Sequence, residues 1–261
     1  ILAMSFKQDW MTDKSESLSF FLFFFGLTLT VFHMLPPFLG RFSVWPLTWG
    51  DTLDFLTPFG VIPFAYVLYL CLNRMLLAAH GRETASHSSN ILAKVILAIG
   101  FISYVEGHGL HLAANSIARL VQTMKDSEVF KATYLFDEVI SHFIWIGGLS
   151  LISLGLILLA HRISFKLLVR KSMILLSAGS VFYGVTFTVE AIEGQTVVLA
   201  LPVAVAGFLL SLFLLLKRKR DAGKNPILVF FLIAYFLSML LFTYWGIAQS
   251  GFPQFSELGW I

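Results

Sequence analysis

The sequence predicts an all-α fold: a polytopic membrane protein built as a seven-transmembrane-helix bundle. Composition is the first reason. The 261 residues are 57% hydrophobic and only 13% charged, whereas soluble domains carry about 25% charged residues. Spacing is the second. Seven mostly apolar stretches reach the roughly 20 residues that a helix needs to cross a bilayer, at about 17–39, 52–78, 91–118, 133–160, 168–191, 195–217 and 226–248. The links are short, so residues 1–261 read as a single membrane domain with no room for a large soluble one.

Taken in order, helix one carries the run Phe20-Phe21-Leu22-Phe23-Phe24-Phe25, which suits lipid or core contact, and Pro36-Pro37 ends it. It begins near Ser17 and continues to spanning length, unlike the short apolar core of a cleaved signal peptide. Pro58 and Pro63 are expected to kink helix two. In helix three, Gly107 and Gly109 leave room for a close helix or a ligand. Gly194-Gln195-Thr196 is so short a link that helices five and six must form a tight hairpin. The single cysteine, Cys71, excludes an intramolecular disulfide and any multi-cysteine metal site. The pI near 9 is no argument for nucleic acid, because the basic residues sit in loops beside helix ends.

Those basic residues predict orientation. Of the 18 lysines and arginines, 14 fall on one side, with Lys217-Arg218-Lys219-Arg220 dominant, and Arg41, Arg119, Lys125 and Lys131 fall on the other. Positive charge marks the cytoplasmic side. The amino terminus is therefore expected in the cytoplasm and the carboxyl terminus outside. The aromatic link Trp45-Pro46-Leu47-Thr48-Trp49 and the end Phe252–Trp260 then lie at the outer interface.

On this orientation, the polar residues of several helices gather at one depth near the outer face. They are His33, His108 and His111, Asp137, Glu138 and His142, and Glu190 and Glu193. His80, His87 and His161 fall at the opposite, basic end. Ionisable groups at membrane depth cost about 2.5–3.5 kcal/mol each on insertion scales, so they are functional candidates by default. Helical spacing puts Tyr104, His108, His111 and Asn115 on one stripe and turns Glu106 away from it. It also puts Glu138, His142 and Trp145 on one face with Asp137 and Ser141 beside it, and Tyr183, Thr186, Glu190 and Glu193 on another. Imidazole and carboxylate are transition-metal ligands, and paired donors on facing helices are a sound way to build a site in a bundle. His33, His108 or His111, and His142 are expected to share one coordination sphere, with Glu190 and Glu193 ligating or ordering it. Tyr104, Tyr183 and Trp145 read as packing.

The segment His111-Leu112-Ala113-Ala114-Asn115, followed by Leu135-Phe136-Asp137-Glu138, resembles a motif of the alkaline ceramidase and adiponectin-receptor superfamily. The resemblance covers about 35 residues. It implies seven helices, a zinc held by three histidines, and hydrolysis of an amide or lipid. The family's histidine pair in the last helix has no counterpart here, and Gly107 stands where its serine is expected. The remaining zinc ligands would have to come from His33, His108 or His142.

Several functions suit these residues. A zinc hydrolase acting on a membrane lipid or other apolar small molecule at the outer face leads. Zinc would bring the pKa of a water to about 7. Asp137 or Glu138 would act as general base, with Asn115 and Ser141 holding the substrate carbonyl or orienting the water. A di-iron oxidoreductase suits four histidines with five carboxylates. His33 with His111 or His142 could ligate haem b in an electron-transfer subunit. A proton- or cation-coupled transporter would use the same acids and histidines as a path. Helix seven has no lysine, which excludes a retinal Schiff base, and no Walker-type glycine loop is present.

Overall fold

The computed structural model describes residues 2–39, 43–44, 47–84, 88–165, 168–217 and 225–260. Arg41, Trp45, Pro46, His87 and the basic run from Arg218 to Lys224 lie outside the described residues. The described residues are 85% helical. Seven helices among the described residues are long and apolar enough to cross a membrane. This is an integral membrane protein with the expected all-α architecture.

Helix α1 (Leu2–Met34) ends before the prolines, which lack the N–H groups that would continue it. A short turn, α2 (Pro36–Leu39), follows. Two two-residue strands, β1 (Ser43–Val44) and β2 (Leu47–Thr48), pair antiparallel. Thr48 then caps α3 (Trp49–Thr84). Its backbone N–H donates to Asp51 Oδ2 at 2.6 Å, while the Asp51 N–H donates to Thr48 Oγ1 at 3.0 Å, a reciprocal box. Helix α3 runs through both Pro58 and Pro63.

Helix α4 (Ser88–Leu120) is unbroken through Gly107 and Gly109. The fourth span is composite: α5 (Glu128–Tyr134), a π-helical segment (Leu135–Ser141), and α6 (His142–Ala160). Helices α7 (Arg170–Glu193) and α8 (Val197–Lys217) form the expected tight hairpin, with Gln195 at φ 52° in the turn. Asn225 caps α9 (Pro226–Ala248) and ties it to α6 by donating from Nδ2 to the Ala160 carbonyl at 2.8 Å.

Small residues set the helix contacts, as expected where lipid removes any hydrophobic drive between helices. Gly26 of α1 meets Gly179 of α7, and Gly184 of α7 meets Ala234 of α9, so closely that a Cβ at any of the three glycines would strike backbone. Gly100 and Gly107 of α4 face Gly148 and Trp145 of α6 in the same way. Tyr183, Phe187, Phe230, Phe231 and Tyr235 fill the centre. Hydroxyls pair across the helices: Ser153 Oγ with Tyr183 Oη at 2.7 Å, and Thr30 with Thr186 at 2.7 Å. The ends of α1, α4 and α7 and the starts of α3 and α6 therefore converge at one end of the bundle.

Candidate functional site

That end holds a cavity of about 600 Å³, lined by His33, Asp54, His111, Asn115, Glu138 and His142 among others. This volume suits a small-molecule site. Each helix supplies its share for a local reason. The last turn of α1 carries His33, which is buried and has Nδ1 at 2.8 Å from the Leu29 carbonyl, one turn back. The α4 stripe presents Tyr104, His108, His111 and Asn115 inward, and Glu106 is exposed on the other side as the spacing requires. The π segment widens the turn, so Asp137 and Ser141 are both buried while Glu138 lies at the cavity wall.

Three imidazoles are held in the same manner. His33 Nδ1 faces the Leu29 carbonyl, and His142 Nδ1 faces the Glu138 carbonyl at 3.0 Å. A carbonyl only accepts, so Nδ1 carries the proton and Nε2 keeps its lone pair. His108 Nδ1 faces Asp54 Oδ1 at 3.3 Å, which leaves its Nε2 as the lone-pair nitrogen too. His33 Nε2 lies 3.3 Å from the Tyr104 hydroxyl. His108 Nε2 is buried with no hydrogen-bond partner among the described residues. Anchoring the far nitrogen on a carbonyl or carboxylate is how metal-ligating histidines are oriented.

His111 differs. Its Nδ1 is 2.8 Å from Asp137 Oδ1, out of line for a hydrogen bond, and its Nε2 is 4.0 Å from Asp54 Oδ2. It stands between two carboxylates from two other helices.

The four rings form two neighbouring pairs rather than one ring of ligands. His33 and His108 have centroids 5.1 Å apart, and His111 and His142 have centroids 5.0 Å apart. Trp145 stands among them, stacked at 4.7 Å on His33 and at 6.4 Å on His111, and edge-on at 4.2 Å to His108. Among the described residues, no three histidine, cysteine or acidic side chains close around one point. The expected single coordination sphere is therefore not formed, because the Trp145 ring occupies the space between the pairs. The donor chemistry fits a transition metal: three anchored imidazoles with the lone pair on Nε2, that of His33 facing the Tyr104 hydroxyl and that of His108 buried and unpartnered.

The carboxylates divide their tasks. Glu190 lines the cavity. Glu193, expected to ligate or order the site, lines the cavity too and also binds the carboxyl-terminal tail. Its Oε2 accepts from the Phe255 N–H at 2.7 Å and the Ser256 N–H at 3.3 Å, and its carbonyl accepts from Gln254 Nε2. Ser141, expected to handle substrate, turns its hydroxyl back to the Asp137 carbonyl. Gly194 packs on the His142 ring, where any side chain would displace it.

Sequence reasoning missed Asp54 and the Asp51–Arg119 pair. Arg119 grips Asp51 bidentately at 2.9 and 2.6 Å, joining the start of α3 to the end of α4. Asp54 reads in sequence as a charge in the first turns of a helix, which the dipole favours. The signal that marks it is depth: it is an acid one turn inside an apolar span, at the same end as the histidines.

The chain matches no family model, no curated protein and no solved structure. Fold and site together define its class: a seven-helix integral membrane protein with a histidine–carboxylate cluster buried at one end of the bundle.

Proposed function

We propose that this protein is a metal-dependent membrane enzyme, a zinc hydrolase acting on a lipid or other apolar amide-type substrate. The amino terminus is cytoplasmic and the site lies at the outer face. One observation carries the reading: three histidines hold Nδ1 on an acceptor and keep the lone pair on Nε2, which in His33 faces the Tyr104 hydroxyl and in His108 is buried and unpartnered. His33 and His108 lie on one side of Trp145 and His142 on the other, so these three would hold the metal once the Trp145 ring turns aside. A zinc ion bound there supplies Lewis acidity and a water that ionises near neutral pH.

The remaining residues act through their own chemistry. Asp137, 2.8 Å from His111 Nδ1, stabilises the charged imidazolium electrostatically, so His111 serves as the general base. Glu138 and Glu190, on the cavity wall, carry protons to and from it. The Asn115 amide donates to a substrate carbonyl within the cavity. Phe32, Pro36, Phe38, Phe255 and Trp260 give the cavity apolar walls that favour a lipid-like substrate over a charged one.

The test is metal content per chain and an absorption spectrum of the purified protein. Zinc without colour is the expected result, with His33→Ala, His108→Ala and His142→Ala each lowering it. Iron without a Soret band favours the di-iron oxidoreductase, and a Soret band favours haem b; either overturns the hydrolase. No metal in a folded protein overturns it too, and favours a second reading. That reading is a proton path, supported by the position of His111 between Asp54 and Asp137. Proton flux in proteoliposomes, lost in His111→Ala, checks it.

A further inference from the structure

A second recess opens on the side of the bundle, between α3 and α4. It is about 380 Å³ and is walled by Phe55, Phe59, Ile62, Val105 and Leu112, with Asp54 and His108 among its lining residues. Both helices are membrane spans, so the recess faces acyl chains rather than water. Phe55, Phe59 and Val105 are exposed along it. Asp54 lines the end cavity as well, so the recess and the cavity meet at that carboxylate.

We infer that this groove binds the alkyl chain of a membrane lipid and delivers the lipid's polar end to Asp54 and His108. Four features point to an amphiphile rather than to bulk bilayer. The walls are apolar but the Asp54–His108 pair is not, a division that matches one chain with one hydrogen-bonding end. His108 is almost fully buried and its Nε2 has no hydrogen-bond partner among the described residues. Pro58 and Pro63 line the groove and withdraw the N–H groups that would otherwise bond the Asp54 and Phe59 carbonyls, so backbone acceptors are released along it. Gly109 also lines it, and a Cβ there would meet nothing. The open volume is therefore kept by a missing side chain, whereas Gly107, two residues earlier, is pressed against Trp145.

The inference rests on the lipid-enzyme reading but is tested apart from it. The protein in phosphatidylcholine nanodiscs is irradiated with a diazirine-bearing hexadecanol, with and without excess hexadecanol, and labelled residues are mapped by mass spectrometry. Competable label is expected at Phe55, Phe59 and Val105. Gly109→Phe, whose Cβ meets nothing, projects a ring into the groove and should lose that label. Gly147→Phe is the matched control: its Cβ also meets nothing, and it fills an apolar recess between α6 and α8. It should keep the label. Val105→Trp is a second plug, one turn earlier on the same α4 wall, and should lose the label at Phe55 and Phe59 as Gly109→Phe does. Label that is uniform over the lipid-facing helices, or unchanged by both plugs, overturns the groove. Metal per chain is read on the same samples. Competable label with no metal in the wild type sinks the hydrolase and leaves the groove standing; metal retained with no competable label does the reverse.

Discussion

Asp54 touches both halves of the histidine cluster, His108 at 3.3 Å and His111 at 4.0 Å. It is not among the expected metal ligands; it acts by holding His108 in the tautomer that frees Nε2. Losing such an outer partner costs about 10–100-fold in metal affinity. Asp54→Asn should weaken metal binding by that order in a competition titration with a chelator, while the helical content is unchanged. Binding as tight as wild type would show that His108 is oriented by packing against Trp145 alone. Glu193 separates from Glu190 in the same way. Its Oε2 accepts from two tail N–H groups, and a charge-assisted acceptor of this kind contributes about 1.5–3 kcal/mol. Glu193→Gln should leave metal content intact and speed proteolysis beyond Phe252. Glu190→Gln should do neither to the tail and should slow turnover. Metal loss in Glu193→Gln would restore it as a ligand.

At the level of elements, the contact between α4 and the π–α6 span decides where the site forms. Gly148 lies against the Tyr104 backbone, and Gly107 against Trp145. An extra methyl in so close a contact costs about 1–3 kcal/mol. Gly148→Ala should therefore lower the melting temperature in detergent and disturb the histidine rings one turn away. Gly109→Ala is the control: its Cβ meets nothing, and the gain in helix propensity is up to about 1 kcal/mol. Equal melting temperatures for the two variants would mean that α4 and α6 do not pack this closely. The π segment was not legible, since a regular helix was the natural reading of Leu135–Ser141. In a regular helix Glu138 shares a face with His142; in the wider turn Asp137 is the acid that reaches His111.

For the whole molecule, the proposed orientation rests on charge asymmetry in the sequence, where 14 of 18 basic residues fall in the amino-terminal segment and the loops expected on one side. A reporter fused after Trp260 should be active outside the cytoplasm and one fused before Met4 inside it. The opposite pattern would move the site to the inner face and leave its chemistry unaltered. The cavity and the tail lie at the site end, and the side recess meets the cavity at Asp54.

Hydropathy and length alone determined that the chain is a seven-helix membrane protein, because burying backbone in lipid leaves a long apolar run few options but a helix. They also determined that the ionisable groups gather at one end, since alternating helices return His33, His108, His111, His142 and Glu190 to the same depth. Tight turns such as Gly194–Thr196 were readable for the same local reason. Which of these groups touch was decided only by tertiary packing. Rotation of each helix about its axis depends on small-residue contacts between elements far apart in sequence, such as Gly26 with Gly179 and Gly107 with Trp145. Those contacts put Trp145 between the histidine pairs, brought Asp54 to His108, and gave Glu193 to the tail. No periodicity within one helix encodes them, because each is a property of two surfaces meeting.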